Sequence, residues 1–269
     1  MSLAVVGVLM IVALVLGVIG NCWWSSHDDS SEEGLDISDL VAPLTTLAVV
    51  LLAFIMVEAI SSYGGAGEDI GIEARVVNEM GDNATRIENP AINITFQQDL
   101  ICYARAIDNV EWKPMANGNR SSQVSVWTAE IRHQLHDLQK AGGGDVTNRL
   151  IDLDGRRSEA RLARLNEARP SIPAGLNLLM YGSVIISVFG LAFFVRSKGN
   201  RGVYLGVLAA FVVVLGASLY MISDLDSPFS GINKLHPTEM RRIQSSMEKT
   251  YDHPVPGIPL PCNADGIKV

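Results

Sequence analysis

Carboxylates in or beside long apolar runs are the side chains of this sequence with the clearest chemical meaning. Glu58 is the only Asp, Glu, Lys, Arg or His within four such runs. Charge inside a bilayer is costly, so an intramembrane carboxylate is a candidate ion contact. Glu58 also lies within a turn of the end of its run, from which it can reach water. Asp224 and Asp226 directly follow the fourth run. In an assembled oligomer they could form an acidic ring at a pore mouth, an arrangement that favours cations. The plainer alternative is that Asp226 caps the turn after the helix, accepting backbone N–H groups near Phe229. Glu130, His133, His136 and Asp137 lie close together on a predicted helix. The two histidines could share a metal, but no third or fourth ligand is identifiable, so this reads as a solvated helix face and no metal site is expected. Gly142, Gly143 and Gly144 lack the Lys-Ser/Thr of a phosphate-binding loop, and no nucleophile elbow or zinc-protease motif occurs. The reading is therefore of a chain without catalytic residues or cofactor, and not of an enzyme.

The three cysteines, Cys22, Cys102 and Cys262, fit no metal spacing. Cys262 ends a proline-rich stretch with little apolar content of its own. A covalent tie from there to Cys102 would close a long loop and stabilise the fold by about 2–4 kcal/mol. Three unrelated thiols, with Cys102 buried as a small hydrophobe, is the other reading. Small residues recur at four-residue spacing in the last two apolar runs: Ser183 and Ser187, then Gly202, Gly206 and Ala210. That spacing lets helix backbones approach closely in a membrane, though small residues are common in such helices anyway.

The elements that must position these residues are helices. Mean hydropathy is +0.23 although 19% of residues are charged, which requires apolar and charged residues to be segregated along the chain. Four runs of about 20 residues, enough to span a bilayer, cover residues 3–20, 40–60, 172–195 and 202–222. The first has no basic residue before Leu3, so a retained span is expected over a cleaved signal peptide. Asn21 likewise makes a poor lipoprotein cleavage site before Cys22. Trp23 and Trp24 suit the headgroup level. Residues 61–170 carry helical periodicity: Ile72, Val76, Val77 and Met80; Phe96, Leu100, Tyr103, Ala104 and Ile107; Val124, Trp127, Ile131, Leu135 and Leu138; Leu150, Leu153, Leu162 and Leu165. Breaks fall near Gly81, Gly118 and Gly142. The expected fold is an all-α membrane protein: a first transmembrane hairpin (1–60), an extramembrane helical bundle (61–170), a second hairpin (171–223) and a C-terminal tail (224–269). The net charge of -8 excludes the basic face that a nucleic-acid partner needs.

Four spans place both short loops on one side, with the domain and tails on the other. The second loop carries Arg196, Lys198 and Arg201, which points to the cytoplasm. The first has acids only, which weigh little. Arg156, Arg157, Arg161, Arg164 and Arg169 lie on the domain side, but long domains translocate largely regardless of charge. The expectation is an extracytoplasmic domain and C-tail.

Four groups of residues resemble a known family: Leu51 to Phe54 with Tyr63 and Glu73-Ala74 downstream; Tyr103-Ala104-Arg105 with Glu111 to Met115; Ala160 to Leu165; and Leu225 to Gly231, whose turn residues Pro228, Phe229 and Gly231 are the most specific. Nearly the whole chain is similar to the bacterial membrane family DUF4239, called bestrophin-like. The family pattern carries Arg where this chain has Ser227, and Trp-Glu where it has Ile60-Ser61. The resemblance implies the architecture. Its name implies a homo-oligomeric ion channel in the lipid bilayer, with selectivity left open because acids flank the spans. The alternative is a structural or accessory protein whose helical domain docks a partner complex.

Overall fold

The computed structural model describes residues 3–25, 38–194, 201–252 and 258–269. The basic loop from Arg196 to Asn200 and the acidic residues from Asp28 to Asp36 lie outside them. The described residues contain nine α-helices: α1 (Leu3–Ser25), α2 (Ser38–Ala84), α3 (Pro90–Ala106), α4 (Trp112–Met115), α5 (Ser122–Lys140), α6 (Asp145–Glu167), α7 (Ala174–Phe194), α8 (Arg201–Leu225) and α9 (Thr238–Asp252). A π-helical stretch, Ile107–Glu111, joins α3 to α4. Two compact units result, residues 1–61 with 171–226, and residues 62–170 with 227–269. Helix α2 contributes to both and continues well past the apolar run that opens it.

The first unit holds the four spans: α1, the start of α2, α7 and α8 are long and apolar enough to cross a membrane. Its core is a seam of Val6, Met10, Leu52, Ile55, Val184 and Leu219. The outward faces are equally apolar, with Ile11, Phe54, Val57, Leu178, Ile186 and Val213 exposed. That inversion suits lipid, which solvates such faces as well as a core does. Helices α1 and α7 approach closely. A Cβ on Gly17 would stand 2.6 Å from the Ala192 Cβ, so only glycine fits there. Asn21 Nδ2 donates to the Phe193 carbonyl of α7 at 2.6 Å. Helix α1 therefore continues past Asn21, where the apolar run stops. Of the small residues singled out above, those on α8 are exposed in the single chain. A Cβ added to Gly206 would meet nothing within 4 Å, and Gly202 and Ala210 are also exposed. Ser183 and Ser187 turn their hydroxyls back onto their own helix, to the carbonyls of Met180 and Ser183.

The second unit is a helical bundle. Asn89 caps α3 by accepting from the N–H groups of Ala91 and Ile92, with Pro90 at the first helical position, where a missing N–H costs nothing. Ser121 caps α5 through the Gln123 N–H. Gly142, Gly143 and Gly144 all take positive φ, which breaks α5 from α6 at a position glycine alone tolerates readily. Phe96, Leu100, Tyr103, Val124, Trp127, Ile131, Leu150 and Leu153 form one core. Residues from Ser227 onward fold into this unit: α9 adds Met240 and Ile243 to the core. The last residues, 258–269, form a strap across α3 and α5. The strap is held by a Cys102–Cys262 disulfide with a Cα–Cα distance of 5.9 Å. Trp127 Nε1 donates to the Gly266 carbonyl at 2.6 Å, and Lys268 pairs with Glu130 at 2.5 Å. Cys22 takes no part in a disulfide.

Candidate functional site

Four helical segments of the second unit converge on a buried ionic network, and most of its members belong to the motifs quoted above. Arg164 on α6 is fully buried. Its Nε donates to Glu73 Oε2 of α2 at 2.6 Å, and its Nη2 donates to Glu111 Oε2 of the π stretch at 2.6 Å. Tyr103 on α3 donates to Glu73 Oε1 at 2.5 Å. Arg161 closes the other side of Glu111, Nη2 to Oε1 at 2.5 Å. One turn back on α6, Arg157 donates to Asp154 from both Nε and Nη2, and its guanidinium lies 4.7 Å over the Tyr103 ring. Arg132 of α5 reaches the other oxygen of Asp154 at 3.1 Å, so three carboxylates face four guanidiniums, of which Arg132 is half exposed. Arg157 Nη1 is buried without a hydrogen-bond partner among the described residues.

The protonation states follow from this geometry. Burial works to raise the Glu111 carboxyl, but Arg164 and Arg161 outweigh it and hold it below its ordinary value. Burial, then the Glu73 charge, pushes the Tyr103 hydroxyl up, so it stays a neutral donor. Burial opposes charge on Arg164, yet Glu73 and Glu111 more than compensate and hold its pKa above the ordinary value. The network joins α2, α3, the π stretch and α6 through charge-assisted hydrogen bonds. Buried pairs of this kind bring little net stability against an apolar core, but losing one partner strands a charge.

The π stretch and α4 carry the network to a second motif. The Arg164 guanidinium lies 5.3 Å over the Trp112 ring, and Trp112 meets Phe229 edge-on at 5.5 Å. The indole N–H donates to the Leu235 carbonyl at 2.9 Å. Pro228 accepts from the Leu235 N–H at 2.7 Å, and Gly231 takes φ 77, the conformation its turn requires. Residues far apart in the sequence, Glu73, Tyr103, Glu111, Arg164 and Phe229, therefore belong to one contiguous cluster.

Sequence reasoning passed over this network. It placed Leu162 on the buried face of α6, whereas Leu162 is 54% exposed. Leu150, Leu153, Arg157, Ala160 and Arg164 form a buried line spaced alternately by three and four residues, with Thr147 and Asp154 buried as well. The arginines occupy core positions of that repeat because carboxylates receive them there, Asp154 of the same helix for Arg157 and Glu73 and Glu111 of other elements for Arg164. The available signal was the spacing itself, Arg157 and Arg164 continuing the line of Leu150 and Leu153.

The carboxylates beside the spans are placed differently from one another. Glu58 is exposed on α2. Asp224 and Asp226 are both 7% exposed. Asp226 Oδ1 accepts from Ser171 N–H and Oγ–H, each at 2.8 Å, and from Ile172 N–H at 3.1 Å. It therefore serves the backbone leading into α7, rather than N–H groups near Phe229 as expected. The Ser171 and Ile172 N–H groups both precede the first residue of α7, Ala174, and the carboxylate gives these backbone donors the partner they need. On α5, His133 pairs with Asp137 at 3.3 Å and Glu130 with Lys268. Among the described residues no group of three or more could hold a metal ion.

The structure resembles solved membrane proteins along most of its length. A point variant of a bacterial bestrophin homologue from Klebsiella pneumoniae matches with a TM-score of 0.72 at 11% identity, covering 92% of this chain and 98% of that one. Another structure of that homologue gives 0.72 at 11% identity, with 93% and 98% covered. A chain described as a membrane protein gives 0.72 at 10% identity, with 91% and 98% covered. At these identities the likeness shows the fold alone. No curated protein matches. The family model of the bestrophin-like domain, however, matches residues 5–240. The chain is an all-α membrane protein, and it belongs to the bestrophin-like family, for which DUF4239 is another name.

Proposed function

We propose that this chain is the subunit of a homo-oligomeric, bestrophin-like ion channel in the cell membrane. One observation carries the reading: a single chain reproduces nearly the entire fold of a bacterial bestrophin homologue, four apolar helices included. Lipid surrounds the exposed apolar faces of α1, α2, α7 and α8, and copies of the chain assemble around a conduction path. No catalytic step belongs to this reading. Selectivity rests on the carboxylates near the spans. Asp226 is committed to Ser171 and Ile172, so it acts through the geometry of α7, whereas Glu58, exposed on α2, is the candidate for direct ion contact.

The second unit and the C-terminal residues lie outside the cytoplasm in this proposal. The supporting observations are the Cys102–Cys262 disulfide, of a kind that persists mainly in oxidising compartments, and the basic loop between α7 and α8. The test is reconstitution of the purified protein into planar bilayers with asymmetric salt. Unitary currents whose reversal potential moves on replacing Glu58 with Gln support the channel and its ion contact. A silent protein that co-purifies with a stoichiometric partner through its helical unit overturns the proposal in favour of an accessory role.

A further inference from the structure

We propose that the C-terminal strap is a two-key redox latch: a dithiol reaches the Cys102–Cys262 bridge only while the strap is lifted, and a reduced strap docks again, so release needs both reduction and opening. The bridge is shielded. Cys102 is fully buried and Cys262 is 6% exposed; both belong to the core of the bundle, with Leu260 packed against it. Thiol–disulfide exchange needs access to a sulfur: a thiolate of the dithiol attacks, the S–S bond breaks and a mixed disulfide forms. The second thiolate of the dithiol then closes a disulfide of its own. Two electrons pass to the bridge, and Cys102 and Cys262 are left as thiols once protonated by water.

What holds the strap does not depend on the sulfurs. Side chains of α3, the π stretch and α5 donate to its backbone carbonyls on both sides of Cys262. Gln98 Nε2 reaches Pro259 at 3.1 Å, Arg105 Nη1 reaches Asn263 at 3.2 Å, Asn109 Nδ2 reaches Ala264 at 3.2 Å and Trp127 Nε1 reaches Gly266 at 2.6 Å. Lys268 adds its pair with Glu130. The strap also holds its own shape. Asn263 Oδ1 accepts from the N–H groups of Asp265 and Ile267, and the Val269 N–H donates to the Pro261 carbonyl at 3.1 Å. Each of these contacts forms without the S–S bond, so the reduced strap keeps its seat. The fit is tightest at Gly266, where the backbone runs against Ala106 with no room for a Cβ.

Two rates on the full-length, detergent-solubilised protein test this. Alkylation and peptide mapping at Cys102 and Cys262 follow reduction by excess dithiothreitol. Hydrogen exchange of the oxidised protein at Asp265 to Val269, corrected for intrinsic exchange at the same pH, follows opening of the strap. When reclosing is fast, both rates are proportional to the open population, so a variant must change both by the same factor, within about twofold. Gly266→Ala should raise both about tenfold or more. Should that variant not form the bridge, Asn109→Ala with Lys268→Met decides: it removes two exposed contacts and should raise both rates about threefold or more. A reduction rate that stays at the wild-type value while exchange quickens means direct attack on the docked bridge and overturns the proposal, as do variants that change neither rate. For the second key, wild-type protein kept reduced should hold the same amides at least about tenfold below intrinsic exchange. Exchange at the intrinsic rate overturns the latch. Conduction is not part of the readout, so the result stands apart from the channel proposal.

Discussion

Replacing Arg164 with Leu removes the one group that joins Glu73 to Glu111. Both carboxylates are at most 1% exposed, so neither can recover water in the folded protein. Breaking a buried pair by deleting one partner costs about 3–5 kcal/mol, because a charge is left uncompensated. The guanidinium over Trp112, at 5.3 Å, adds about 0.5–2 kcal/mol when lost. Against a typical total stability of about 5–15 kcal/mol, this is a large fraction. At about 2–4 °C per kcal/mol for a unit of this size, the combined loss of about 3.5–7 kcal/mol should lower the Tm by roughly 7–28 °C. Thermal unfolding in detergent, followed by tryptophan fluorescence, measures it. Arg242→Ala is the control: Arg242 is 77% exposed in its pair with Glu239, and its loss should cost under about 1 kcal/mol. Adding Glu73→Gln and Glu111→Gln to the Arg164 variant should restore much of the stability, since neutral amides need no cation. An Arg164→Leu protein within about 1 kcal/mol of wild type would refute the reasoning, as it would mean the carboxylates take up protons or water at little cost.

Acid should destabilise the second unit through Glu111. Its carboxyl is held below the unfolded value of 4.5, so its contribution is complete above that value and disappears as pH falls through the lower, folded pKa; a Tm-against-pH curve without an acid limb, or one that Arg164→Leu leaves unshifted, contradicts this. Gly266→Ala should displace the strap, because the new Cβ would lie 2.3 Å from Ala106 N at φ 76; a cost of about 1–3 kcal/mol and faster exchange after Cys262 are expected, and unchanged protection argues against it. Non-reducing peptide mapping should recover Cys102 linked to Cys262, with Cys22 outside the bridge; thiols at both in protein kept from reductant reject the link. An impermeant protease on intact cells should cut near Gly143 and spare Lys198, and the reverse pattern places the domain in the cytoplasm.

The four spans were legible in the sequence because insertion depends on length and composition, which are local properties. The core faces of α3 and α5 were legible too, since an apolar repeat of three and four residues needs no knowledge of its partner. Leu162 was misplaced for the complementary reason. Periodicity locates a buried stripe only when its members are apolar, and on α6 two of them are arginines. A charge becomes a core residue only when opposite charges come to meet it. Glu73 and Glu111, 38 positions apart on different elements, do so only once α2, the π stretch and α6 have packed. The same holds for Asp226: its position after the fourth span was plain, but which backbone it caps depended on Ser171, 55 residues earlier, being brought beside it. The sequence by itself determined the helices ahead of the C-terminal tail and the four long enough and apolar enough to cross a bilayer, whereas α9 in the tail appeared only in the structure. The tertiary structure alone decided which charges are buried, because the energy of a buried charge is set by its partners, and partners are a property of the fold.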